Sequence, residues 1–337
     1  MVNLYLDNGY ADMHSIIYDT TTPYVFVIGG RGTGKTYGAL KEIALNENRY
    51  IEKFLYIRRT QKESDIVNNK QFCPYNKVNK KEGTNVTVKK IPSTDAGFFY
   101  DDDVNRPIGY SVSLSTFAGI RGADFDECTV AVFDEFIPEE HVRTFKKEGK
   151  AFLNLYETVN RNRELEGENP LKIICMSNSD KFESDILVEM GCLPIIQKMV
   201  RQNREIYVKG NVTIILLLNS PISEFKKETA LYKTTEGSEF YDMAVNNVFV
   251  YPERIESLNL KGFKPIFSIK KFTVYRKDNL FYVTYFRKGC PTEYENDELN
   301  YRLIRKRYIY LYDAYEKKEI IFENMSSVTF FKKVFGL

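Results

Sequence analysis

Tyr24-Val25-Phe26-Val27-Ile28-Gly29-Gly30-Arg31-Gly32-Thr33-Gly34-Lys35-Thr36 joins a run of β-branched and aromatic residues to a glycine-rich turn. The run reads as a buried strand. Residues 29–36 match G-x-x-x-x-G-K-[ST], and Tyr37 to Asn46 continues as a helix with Ala39, Leu40, Ile43 and Ala44 on one face. Strand, loop and helix in that order make a phosphate cradle. Glycine lets the loop turn its backbone N–H groups inward around a β-phosphate, and the helix N-terminus adds its dipole. Gly29, Gly30, Arg31, Gly32, Thr33, Gly34, Lys35 and Thr36 are therefore the candidate nucleotide-binding residues, for ATP with Mg²⁺. Lys35 would bridge the β- and γ-phosphates and the Thr36 hydroxyl would ligate Mg²⁺.

Such a site needs an acid at the end of a second buried strand, and Thr129-Val130-Ala131-Val132-Phe133-Asp134-Glu135 supplies two. Asp134 is the candidate Mg²⁺ partner, and Glu135 the base for a water attacking the γ-phosphate. Further buried strands are expected at Phe54–Ile57 and Leu171–Met176, with a helix over Phe152–Asn160. Strands alternating with helices predict an α/β P-loop NTPase domain with a mainly parallel sheet. The long spacing between the two motifs suits the ASCE type, in which another strand separates them.

A cation at the γ-phosphate would complete the chemistry. Arg161 and Arg163, in Thr158-Val159-Asn160-Arg161-Asn162-Arg163, fall where the Phe152–Asn160 helix would end. They fit either a finger reaching a neighbouring subunit or a simple offset of the helix dipole. Arg121, in Ala118-Gly119-Ile120-Arg121-Gly122, is a second candidate, and Arg31, Arg58 and Arg59 suit phosphate or a subunit interface. Asn178, at the end of the Leu171–Met176 strand, could hydrogen-bond the water or cap a helix.

The chain has 337 residues, about two domains' worth, and no apolar run long enough to span a membrane. The N-terminus lacks the pattern of a secretory signal, so an intracellular, soluble product is expected. Five dispersed cysteines and two histidines, His14 and His141, favour neither a disulfide framework nor structural zinc. Charge is uneven: residues 1–250 carry 31 basic against 35 acidic side chains, and 251–337 carry 17 against 11. A basic tail suits a polyanion. Tyr75–Arg106 reads as a hairpin excursion. After residue 200 the alternation fades, and Ile266–Ile269, Phe272–Tyr275, Leu280–Phe286, Tyr308–Tyr312 and Ile320–Phe322 read as a β-rich α+β domain. The expected division is 1–200 ATPase, 201–240 linker and 241–337 C-terminal domain.

Residues 26–36, Tyr56-Ile57-Arg58-Arg59, Val132-Phe133-Asp134-Glu135-Phe136, Arg161-Asn162-Arg163 and Cys175-Met176-Ser177-Asn178 together resemble the genome-packaging ATPases of phi29-like podophages. The resemblance implies a ring motor, a pentamer, that sits on the portal of a procapsid in the host cytoplasm and pumps double-stranded DNA inward. A structural packaging RNA is a further implied partner, and a membrane is not. It also implies that Arg161 acts on the neighbouring subunit's ATP and that Arg121 matches a basic residue acting in trans. The C-terminal domain of that family resembles a vestigial RNase H-like nuclease. Here Ile266–Tyr275 carries lysines and no Asp or Glu, so no cleavage is expected. Lys264, Lys270, Lys271, Arg302, Arg305, Lys306 and Arg307 are the candidate polyanion contacts. The competing readings are a nucleotide-dependent switch or assembly clamp without translocation, and a large terminase that also cuts DNA. Glu135 beside Asp134 favours the motor over the switch.

Overall fold

The structure is a computed structural model that describes residues 2–45, 51–138, 145, 147–178, 182, 184–238, 241, 253–285, 290 and 292–337. Asn46, His141, Ser179 and Phe286, and the expected domain start at 241–252 beyond Tyr241, lie outside the described residues. In chain order the elements are α1 (Met13–Tyr18), β1 (Tyr24–Gly29), α2 (Lys35–Leu45), β2 (Lys53–Arg58), α3 (Gln61–Val67), α4 (Tyr75–Glu82), β3 (Val86–Lys90), β4 (Gly97–Asp101), β5 (Arg106–Ser113), β6 (Cys128–Asp134), α5 (Glu148–Asn160) and β7 (Lys172–Ser177). They continue with α6 (Asp185–Glu189), α7 (Leu193–Arg201), β8 (Ile206–Lys209), β9 (Val212–Leu217), α8 (Ile222–Lys227), α9 (Ala230–Thr234), β10 (Arg254–Ile255), β11 (Lys264–Ile269), β12 (Phe272–Lys277) and β13 (Leu280–Thr284). Last come β14 (Glu293–Tyr294), α10 (Glu298–Arg307), α11 (Tyr310–Glu316), β15 (Ile320–Phe322) and α12 (Met325–Phe335). Two units result: Met1–Asp180 with Gln202–Phe249, and Lys181–Arg201 with Val250–Leu337.

The first unit is built on a nine-stranded sheet in the order β3-β4-β5-β2-β6-β7-β1-β9-β8. Strands β5, β2, β6, β7, β1 and β9 run parallel, with antiparallel edges at β4–β3 and at β8. β7 lies between the loop-bearing β1 and the acidic β6, which is the additional strand that the motif spacing called for. A parallel sheet must be covered on both faces, and its central strands are correspondingly continuous apolar runs. Val25 to Ile28, Val130 to Phe133 and Ile173 to Met176 are all buried. On one face Val25, Val27, Val132 and Ile174 pack with Ile16 and Ile17 of α1 and Ala39, Leu40 and Ile43 of α2. On the other face Phe133 meets Phe152 of α5 at 6.2 Å, and Phe26 meets Phe136 at 5.4 Å. The register pairs Ile28 with Ser177 and Met176 with Asp134, so the phosphate loop and the acids leave the sheet at one edge.

Three expectations for residues 1–240 change. Tyr75–Glu82 is helical, with Tyr75 and Val78 buried, and the hairpin after it extends the same sheet as β3 and β4 instead of leaving it. The stretch 201–240 is no linker: β9 pairs in parallel with β1 and β8 closes the edge. Residues 184–201 belong to the second unit, where Asp185 of α6 pairs with Lys333 of α12 at 2.7 Å.

The second unit carries a six-stranded sheet, β10-β15-β13-β12-β11-β14. β11, β12 and β13 form an antiparallel meander, and β14 and β15 add in parallel on β11 and β13. Buried residues include Phe267, Phe272, Val274 and Val283 of the sheet and Val328, Phe331 and Val334 of α12. Tyr308–Tyr312, expected extended, turns into α11. Its aromatics favour a strand, but Leu311 and Ala314 are buried three residues apart, the helical spacing. The mainly parallel α/β domain and the β-rich second domain are thus both present.

Candidate active site

β1 delivers Gly29 and Gly30 at the edge of the sheet, and the loop closes into α2 at Lys35. Gly32 and Gly34 hold φ of +72° and +87°, which side-chain-bearing residues resist. The Lys35 ammonium lies inside the cradle, 4 % exposed, donating to the carbonyls of Gly29 and Gly30 and to Thr33 Oγ1, each at 3.0 Å. Burial pushes its pKa from 10.5 down to about 7; Asp134 opposes the shift and Lys226 adds to it. An ammonium held only by neutral oxygens is poised for a phosphate.

Asp134 is fixed by three donors. The Thr36 hydroxyl donates to Oδ1 at 2.9 Å, and Tyr56 OH and Arg58 Nη1 donate to Oδ2 at 2.7 and 3.2 Å. The Thr36–Asp134 pair is the arrangement a Mg²⁺ ion needs, one oxygen from each motif. Glu135 follows with φ +54°, a conformation outside the strand that turns its side chain away from the sheet. Its carboxylate is held at 3.0 Å by Arg58 Nη2 and at 3.4 Å by Asn178 Nδ2. Asn178 thus touches the Glu135 carboxylate, and among the described residues it caps no helix. Burial works against the Arg58 cation, yet Tyr56, Asp134, Glu135 and Glu63 around it hold its pKa above the ordinary value. Glu63 is set by a capping box with Thr60 that starts α3. Arg59 instead points inward, with Nε on Glu148 of α5 at 2.8 Å, both buried.

The arginines after α5 go elsewhere. Arg161 ends the helix with φ +46°, pairing with Asp126 at 3.0 Å and donating to the Ala123 carbonyl at 3.3 Å. Asp126 lies just before β6 and Glu135 just after it, so seven residues of strand, roughly 20 Å, separate Arg161 from its own acids. Arg121 lies in the same exposed turn, two residues from Ala123. Arg163 is buried and donates to the carbonyls of Phe125 and Asp126, a structural tie. In the second unit Arg305 donates to Val334 O at 2.6 Å and Lys333 O at 3.3 Å, closing the end of α12, which removes it from the polyanion candidates. Lys264, Lys270, Lys271, Arg302, Lys306 and Arg307 are exposed.

Sequence reasoning passed over two side chains of this site. Tyr56 lies in an apolar run with nothing to mark it as a partner of Asp134. Lys226 of α8 donates its ammonium to the Arg31 carbonyl in the phosphate loop, from a stretch read as linker.

Residues 11–275 match the family described as podovirus DNA encapsidation protein (Gp16). The DNA packaging protein of Bacillus phage phi29 is 28 % identical over 227 residues, which are 67 % of this chain and 61 % of that protein. The chain therefore spans about three-fifths of the length of the curated relatives it matches. Among solved structures, the N-terminal domain of the DNA packaging ATPase from bacteriophage phi29 matches with 27 % identity and a TM-score of 0.50, over 63 % of this chain and 97 % of that one. The bacteriophage phi29 viral genome packaging motor assembly matches over 99 % of both chains, with 22 % identity and a TM-score of 0.64.

Proposed function

The chain belongs to the podovirus DNA encapsidation protein (Gp16) family, and from that premise we propose that it is an ATP-hydrolysing motor subunit that drives double-stranded DNA through a portal into a procapsid. The observation that carries the reading is the joined site: Thr36 on Asp134, and Glu135 beside it held by Asn178. A switch protein needs the first pair to bind a nucleotide and would tolerate the absence of the second.

The residues fit ATP with Mg²⁺. Lys35 and the loop amides would hold the phosphates, and Thr36 and Asp134 would hold the ion, which neutralises charge on the β- and γ-oxygens when bound. Glu135 orients and deprotonates the attacking water, and Asn178 fixes that carboxylate. In the free chain the Arg58 guanidinium spans both acids, so Glu135 works as a base only once Arg58 yields part of that contact. Arg161 and Arg121, at the far edge of the sheet from their own loop, suit a cation donated to a neighbouring subunit in a ring, a pentamer by the family resemblance. A closed ring joins two different surfaces of each subunit head to tail, and the proposal takes the Arg161 edge and the nucleotide site as those two surfaces.

The second unit is proposed to grip DNA, the portal or a packaging RNA through phosphate contacts, which carry no sequence information. Its meander with a parallel strand on β11 fits a nuclease-like origin, and the absence of Asp and Glu from β11 and β12 supports loss of cleavage. The motor would work in the host cytoplasm at the portal vertex. Measuring ATP hydrolysis by the purified chain with and without double-stranded DNA tests the reading. DNA stimulation is expected; turnover indifferent to DNA would favour a switch or clamp.

A further inference from the structure

The phosphate loop receives two lysines, and the motif accounts for one. Lys226 comes from α8, some 190 positions along the chain, and its side chain is 9 % exposed. Its ammonium donates to the carbonyl of Arg31, and its Cε lies 3.4 Å from where a Cβ on Gly32 would stand. Among the described residues no carboxylate pairs with it, and burial alone lowers its pKa. Lys35 is in the same position on the inner side of the loop, so two nearly buried ammonium groups converge on backbone carbonyls of one turn. Uncompensated buried charge is costly, and a polyanion resting in the loop is the group that would relieve it.

The geometry of α8 is tied to the loop by more than this contact. Ser220 Oγ and Ile222 N both donate to the Gly9 carbonyl at 3.3 Å, Ala11 N donates to Thr33 O at 2.8 Å, and the Tyr10 ring lies against Gly34. The segment 9–11 is therefore clamped between α8 and the loop. A shift of Lys226 from the Arg31 carbonyl to a phosphate would be felt through α8 and that clamp.

We propose that Lys226 is a second phosphate-binding lysine, supplied in cis by α8, that contacts the terminal phosphate of a nucleoside triphosphate and so reports to α8 whether the loop holds a tri- or a diphosphate. The proposal rests on the nucleotide-site reading above. It concerns discrimination between nucleotides, whereas Lys35 and the loop amides bind both. A purely structural Lys226 would support the loop equally for either nucleotide.

The test is equilibrium binding of ATPγS and ADP, each with Mg²⁺, to the full chain and to Lys226→Ala and Lys226→Arg. The unmodified chain is expected to bind both. Lys226→Ala should lose at least ten-fold in ATPγS affinity while ADP changes less than three-fold, and Lys226→Arg should regain most of the ATPγS binding. Equal losses for both nucleotides, or no loss for either, would overturn the proposal while leaving the nucleotide site intact. Failure of the unmodified chain to bind either nucleotide would overturn the site reading and the proposal with it. Amide hydrogen exchange on the unmodified chain covers the case in which Lys226→Ala does not fold: exchange in 222–227 should slow with ATPγS and not with ADP, and identical protection by both refutes the assignment.

Discussion

Strand β6 has acids and arginines at both ends, and the two ends are built differently. At its C-terminal end Asp134 and Glu135 meet Thr36, Tyr56, Arg58 and Asn178, with Asp134 taking three of the contacts. At its N-terminal end Asp126 meets Arg161, whose side chain is 44 % exposed. Enclosure makes Asp134 precise: its side chain is 8 % exposed and each of its oxygens has its own donor, so this carboxylate is held where an ion would need it, while Glu135 beside it is open to water. Exposure makes the second end available. An Arg161–Asp126 pair in contact with water contributes at most about 1 kcal/mol and is readily exchanged for a stronger anion. Under the proposed function, one strand therefore separates the groups that hold the nucleotide site from the arginine proposed to reach another subunit.

The C-terminal end breaks most completely when Glu135, the proposed base, is replaced. Glu135→Gln keeps the shape of the side chain and its contact with Asn178, so ATP binding should persist while turnover falls by about 10⁴-fold. Steady-state phosphate release beside equilibrium nucleotide binding checks this, and normal hydrolysis would move the base elsewhere. The exposed end should break differently. Arg161→Ala is expected to leave the melting temperature nearly unchanged and, in the proposed ring, to lower turnover by about 10³-fold. Mixing it with Lys35→Ala should restore activity, because mixed rings contain sites with an intact loop beside an intact arginine. Mixtures silent at every ratio would contradict donation in trans.

Arg163 sharpens the contrast because it is two residues from Arg161 and only 6 % exposed. Its guanidinium donates to the carbonyls of Phe125 and Asp126, and Arg163→Ala would leave the buried Phe125 carbonyl without that donor. The cost should be about 1–3 kcal/mol in denaturant unfolding. Lost turnover with full stability would instead make Arg163 the finger.

The sequence displayed these groups unequally, for physical reasons. Phosphate chemistry demands glycines, a lysine and acids at fixed spacing, so the loop, Asp134 and Glu135 were readable, as were their flanking strands. Arg161 and Arg163 look alike in a string, since which of two neighbouring arginines is buried depends on how the chain turns after α5. Lys226 was hidden because β8 is a short, half-exposed edge strand and α8 a six-residue helix, elements too brief to show a period. Tyr308–Tyr312 misled because aromatic propensity favours strands and packing overruled it. Asp134's partner Tyr56 could be found only once β2 was known to lie beside β6.

The last difference between the ends is electrostatic. The loop beside Asp134 holds Lys35 with a pKa pushed down to about 7, because it is buried with no anion in contact. The folded value lies below the ordinary 10.5, so between about pH 7 and 10.5 the unfolded chain binds more protons, and this group makes the free protein more stable as pH rises. Nucleotide binding reverses the environment. Phosphate oxygens beside the ammonium favour its charged form, so binding above about pH 7 must take up a proton, and affinity should fall as pH rises by up to about ten-fold per unit. Calorimetric titration of ADP at pH 8 in two buffers of different ionisation enthalpy should therefore show net proton uptake approaching one. Arg161, at the other end, has no part in this, and Arg161→Ala should leave the uptake unchanged. Equal heats in the two buffers would mean that Lys35 is already charged in the free loop.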